Sequence, residues 1–153
     1  EIVGDGPERA KYEELAFDLG ISNYVRFLGY VPYNALAQHY SAANAFIHVP
    51  RREPWGISVG EAMACGLPVI SHRRIGAAAD LIVDGVTGFF SKAGDIGSIA
   101  SCIVRLTTCR KLQEMGAAAR EAVINCQDCS VASRELCALI KRIGRSYAGY
   151  EQR

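Results

Sequence analysis

A chain of 153 residues with 17 basic and 16 acidic side chains carries a formal charge of +1, which gives no electrostatic bias toward nucleic acid or an anionic membrane. Half of its residues are hydrophobic and 22% are charged, so it has ordinary globular composition and enough length for one domain with a sizeable core. No apolar run approaches the roughly 20 residues of a membrane span and no secretory leader is visible, so a cytoplasmic protein is expected. The chain opens directly on the apolar "EIVGDG", without a methionine, and reads as a piece of something longer.

In chain order, "EIVG" is a short strand ended by the turn of Gly4 to Pro7. From Glu8 to Leu19 the apolar residues Tyr12, Leu15, Ala16 and Leu19 recur at helical spacing, and Gly20 stops the helix. Val25 to Leu28 reads as a strand, Asn34 to Ala43 as a helix with Ala35, Leu36 and Tyr40 on one face, and Phe46 to Val49 as a second strand. A loop at Glu53 leads into a helix from Ser58 to Cys65. "PVIS" is a strand, "AAADLIVDG" a short helix and "TGFFS" a strand. From Asp95 onward the pattern is helical, with long segments at 112–124 and 131–147. Short strands alternating with helices give βα units and a parallel sheet. The fold expected is α/β: one doubly wound, Rossmann-like parallel sheet with a helical C-terminal tail.

The six cysteines, at 65, 102, 109, 126, 129 and 137, are expected to be reduced thiols, because disulfide frameworks belong to short secreted chains. "CQDC" at 126–129 has metal-type spacing, but zinc would need two further ligands, and His39, His48 and His72 lie far off in sequence. No metal and no cofactor are expected.

The stretch "EPWGISVGEAMACGLPV" places Glu53 and Glu61 eight positions apart around Gly56. In a doubly wound sheet, ligands sit at the carboxyl ends of strands, near helix N-termini. The loop from Val49 to Ser58 is such a place. Gly56 lets backbone approach a ligand, and the free N–H groups at Ile57 and Ser58 favour an anion such as a diphosphate. Glu61, one turn into the helix, is suited to accept two hydroxyl protons from a diol. Phosphate and sugar hydroxyls together imply a nucleotide sugar.

With "VGDGP", "VRFLGYVP", "EAMACGLPVI" and "DGVTGFF" in order around "EPWGISVGE", the chain resembles the C-terminal, donor-binding domain of retaining GT-B glycosyltransferases, family 4 group, over nearly its whole length. The resemblance implies transfer of a sugar from a nucleoside-diphosphate sugar to an acceptor, with residues 1–153 as the donor-binding domain. Glu53 would be the catalytic residue at the donor sugar and Glu61 would bind the ribose. Backbone at Gly56, Ile57 and Ser58 would hold the diphosphate, Tyr30 and Val31 would lie near the base, and Gly4 and Gly6 would line the crevice floor. The chain departs from the family in "SHRRIGAAADLI", where Gly76, Ala77 and Asp80 stand for a glycine pair and a glutamate. By the same resemblance, the family's first strand, with its Arg and Lys, and the acceptor-binding domain are expected to be missing from these 153 residues. The isolated chain is therefore expected to be inactive, to meet a membrane surface only through a parent enzyme, and to form a homodimer that covers the gap left by the central strand.

Other readings stand beside these. Glu53 can cap its own turn, and Trp55, His39, His48 and His72 can be packing residues. Arg73 and Arg74, like Lys141, Arg142 and Arg145, can be solvated. The whole chain can be a non-catalytic nucleotide-binding or interaction module derived from such an enzyme, or belong to a GT-B epimerase, which the Glu-x7-Glu spacing disfavours.

Overall fold

Among the described residues of the computed structural model every strand-to-strand ladder is parallel, and helices connect the strands. The structure describes residues 1–127 together with 130, 133, 134 and 136–141. The elements are β1 (Ile2–Val3), α1 (Arg9–Asp18), a 3-10 turn at Ser22–Tyr24, β2 (Phe27–Gly29), α2 (Tyr33–Ala42), β3 (Phe46–Ile47), α3 (Ile57–Ala64), β4 (Val69–Ser71), α4 (Gly76–Leu81), β5 (Gly88–Phe90), α5 (Ile96–Thr107) and α6 (Leu112–Gln127). The chain is thus α/β, as its pattern implies.

Among the described residues the strands do not form one continuous sheet, in line with the gap expected at the central strand. Two sheets form, β1-β2 and β3-β4-β5, and the chain divides into two compact units, Glu1–His39 and Tyr40–Arg153. Among the described residues β1 pairs with β2 alone and β3 with β4 alone.

In the first unit, Ile2 lies opposite Phe27 and Val3 opposite Gly29. Arg9 ties α1 to β2 by donating to the Phe27 carbonyl at 3.2 Å, while its Nε donates to Glu13. Glu1 pairs with both Arg26 and His39. Of the apolar face read from Tyr12, Leu15, Ala16 and Leu19, only Ala16 is buried. Helical spacing is present, but the face is covered only where the 3-10 turn and β2 reach it. A shallow hollow of about 240 Å³ remains there, lined by Glu13, Ala16, Ser22, Val25 and Phe27.

The second unit holds nearly all of the core. Val69, Ile70 and Ser71 of β4 are buried on both faces, as a central parallel strand requires. Val59, Met63, Ile75, Ala78 and Leu81 pack with Ala119 of α6 into one cluster, and Ile70, Phe89, Cys102, Leu106 and Met115 form another. Close approach fixes two glycines: a Cβ on Gly88 would lie 2.0 Å from the Val69 carbonyl oxygen, and one on Gly116 2.2 Å from that of Gly66. α5 begins where the Asp95 carboxylate accepts from the Ser98 N–H at 2.9 Å, a side-chain N-cap. Burial pushes the Cys102 thiol above its ordinary value, which makes it an inert core group rather than a nucleophile. The expected helix at 131–147, and Cys129 of "CQDC", fall wholly or partly on residues outside the described set.

Candidate functional site

The nine residues singled out in the sequence fall into two groups, one in each unit. Gly4, Gly6, Tyr30 and Val31 are in the first. Gly4 takes φ +119°, donates its N–H to the Gly29 carbonyl at 2.8 Å and sits at the carboxyl end of β1. Gly6 donates to Asp5 at 2.8 Å. Tyr30 and Val31 follow β2 directly, with Tyr30 79% exposed.

Glu53, Gly56, Ile57, Ser58 and Glu61 are in the second unit, on the loop from β3 and the first turns of α3. Gly56 is the N-cap residue at φ +83°, a left-handed conformation that side chains resist. A Cβ there would also lie 2.6 Å from Ile75 Cγ2. No side chain caps α3, so its leading N–H groups at Ile57 and Ser58 keep the partial positive charge of a helix start. The Glu53 carboxylate turns back on its own loop. Its Oε1 accepts from the N–H of Trp55 at 3.1 Å and of Gly56 at 2.9 Å. Those bonds hold the turn that presents α3.

Glu61 is half-buried one turn into α3. Its Oε2 accepts from the Tyr40 hydroxyl at 3.2 Å. The Tyr40 ring meets Phe46 of β3 edge-on, with centroids 5.6 Å apart. Nothing in the sequence signals this pair, because residues 21 apart on different elements share no periodicity.

The start of α4 is already occupied. Gly76 and Ala77 donate their N–H groups to the Pro54 and Trp55 carbonyls at 3.1 and 2.8 Å, and the Trp55 ring lies on Gly76. The loop after β3 and the turn after β4 are thereby joined. At the strand ends, the His72 Nε2–H donates to the Pro50 carbonyl at 2.8 Å, and His48 stacks on Phe46. Burial holds His48 below the ordinary histidine value; the Glu53 charge opposes this and His72 adds to it. His48 Nε2 and His72 Nδ1 are buried without a partner among the described residues. The Arg73 guanidinium covers the Phe90 ring at 4.0 Å and stays exposed, as does Arg74. No group of three His, Cys, Asp or Glu side chains able to hold a metal occurs among the described residues.

Residues 1–122 match the family model described as glycosyl transferases group 1. The chain belongs to that family. Group 1 membership and GT-B structural neighbours identify it as a C-terminal GT-B domain of glycosyltransferases. It is 33% identical over 123 residues to N-acetyl-alpha-D-glucosaminyl L-malate synthase of Bacillus anthracis, a match covering 80% of this chain and 32% of the relative. To D-inositol 3-phosphate glycosyltransferase of Geodermatophilus obscurus it is 35% identical over 105 residues, covering 69% of this chain and 23% of the relative. It therefore spans no more than about a third of the curated relatives it matches. Among solved structures, sucrose-phosphate synthase from Thermosynechococcus elongatus superimposes with a TM-score of 0.77 at 27% identity, covering 94% of this chain and 38% of that one. HepE from Anabaena, solved in complex with UDP, does so with a TM-score of 0.75 at 25% identity, covering 92% and 40%. Among the described residues no helix is long and apolar enough to cross a membrane.

Proposed function

We propose that this group 1 domain is the donor-binding half of a retaining glycosyltransferase, taking a nucleoside-diphosphate sugar in the cytoplasm without a metal or cofactor. The observation that carries the reading is the uncapped start of α3, flanked by Glu53 before it and Glu61 one turn into it. The N–H groups of Ile57 and Ser58 supply positive potential for a diphosphate. Glu61 offers the ribose diol an acceptor, since a carboxylate has about four lone-pair sites and Tyr40 takes one. Glu53 meets the donor sugar. Sugar transfer then proceeds by positioning and by stabilising charge on the departing diphosphate. In this reading the acceptor is held by a separate N-terminal domain.

Calorimetric titration with UDP, GDP and ADP tests the reading. Saturable binding of one of them is expected, and binding of none removes it. The purified chain is expected to transfer no sugar; detected transfer to any acceptor would remove the half-enzyme reading. A second copy of the chain is proposed to cover the apolar edges at Ile2, Val3 and Ile47, all of which are substantially exposed. Light scattering should then give a dimer, whereas a monomer at micromolar concentration rejects that interface. One observation favours a non-catalytic nucleotide-binding module instead: Glu53 Oε1 is engaged by its own loop.

A further inference from the structure

We infer that Tyr40 is a positioning residue for nucleotide binding, orienting the Glu61 carboxylate so that its remaining acceptor sites face the ribose diol. This rests on the ribose reading of Glu61 and names the group that makes it selective. Four observations support it. Tyr40 and Glu61 lie in the same unit. The Tyr40 hydroxyl donates to Glu61 Oε2 at 3.2 Å. The ring is held by an edge-on contact with Phe46 and packs against the core cluster containing Val59 and Met63 of α3. Glu61 has no other hydrogen-bond partner among the described residues that would fix its rotamer.

A glutamate on a helix surface has three rotatable bonds, and immobilising such a side chain on binding costs about 0.5–1.5 kcal/mol. A phenol fixed by packing meets part of that cost before the nucleotide arrives. Because the Tyr40 hydroxyl has one proton to donate, it occupies one lone pair of the carboxylate and leaves the others to accept from the 2′ and 3′ hydroxyls. A tyrosine that served only to fill space would make no distinction between nucleotides with and without those hydroxyls.

The test compares wild type, Tyr40→Phe, Glu61→Ala and the double variant by calorimetry, using UDP and 2′,3′-dideoxy-UDP, or the guanine or adenine pair if the titration above selects that base. Phenylalanine keeps the ring on Phe46, so thermal unfolding should match wild type and certify the fold. Tyr40→Phe is expected to weaken the ribose nucleotide about two- to ten-fold, the equivalent of the cost of immobilising the glutamate side chain. It should leave the dideoxy nucleotide unchanged and have no further effect in the Glu61→Ala background. Equal weakening of both nucleotides, no weakening, or full additivity with Glu61→Ala overturns the positioning role while leaving the ribose reading intact. If wild type binds both nucleotides equally, the ribose reading itself fails and this inference fails with it.

Discussion

The two units differ sharply in how they use the same kind of sequence. In the second, Val59, Ala62, Met63, Val69, Ile75 and Ala78 are fully enclosed. In the first, α1 carries an apolar set of comparable spacing, yet Leu15 stays 50% exposed and Leu19 62%. The lesson is that periodicity specifies an element, while burial needs layers on both sides of a sheet. β4 has β3 and β5 as neighbours and α3, α4 and α6 supply the enclosing cluster. β1 and β2 form a two-stranded sheet, which is marginal without further packing.

The largest test of this contrast is a pair of truncations. Met63→Ala should cost about 2–5 kcal/mol in urea unfolding, the range for a buried methionine. Leu15→Ala should cost under about 1 kcal/mol, since half of its surface already meets water. Equal costs would break the comparison. In hydrogen exchange, amides of Ile70 and Ser71 should outlast those of Ile2 and Phe27, because protection follows local packing.

Binding should follow the same ranking. Glu61→Ala, in the packed unit, is expected to weaken a nucleoside diphosphate by about 1.5–3 kcal/mol, the range for hydrogen bonds to a charged group. Tyr30→Ala, in the open unit, should cost less by calorimetry. A larger loss at Tyr30 would move the main anchor into the first unit.

The smallest effect is in pH. His48 sits below its ordinary value of 6.5 because burial disfavours its charged form, so the unfolded chain binds its proton more readily than the folded one. Its contribution is complete above about pH 6.5 and is lost as pH falls from there through the folded value. A melting-temperature profile should decline below that pH, and His48→Phe should flatten the decline. A decline of the same size in the variant would assign it to other groups.

Much of this was legible in the residues. β4 and β5 could be read from their apolar runs, α3 from its small-residue pattern, and Glu53 and Glu61 from their spacing around Gly56. The division into two sheets follows the gap expected at the central strand, which came from the strand order of the resembling family and not from any local pattern. The exposure of the α1 face was hidden, because burial depends on which distant segments cover an element and no local pattern records that. The 3-10 turn at Ser22–Tyr24 has too little length to show a period. At the site, sequence pointed to the α3 start but not to Tyr40 beneath Glu61, nor to the carbonyls of Pro54 and Trp55 that fill the α4 start. Those are contacts between distant segments through backbone atoms and a single hydroxyl.

The seat of Trp55 on Gly76 has a bearing on how this chain can change over generations. A Cβ at position 76 would stand 2.6 Å from the indole Cε3, so alanine there clashes while tryptophan remains. A smaller residue at 55 would remove the ring and leave only the tight approach to the Pro54 carbonyl oxygen at 3.1 Å. The order of mutation therefore matters: the route through position 55 first passes over a lower barrier than the route through position 76. Descendants of this sequence should vary at these two sites together, with large residues at 55 confined to lineages that keep glycine at 76.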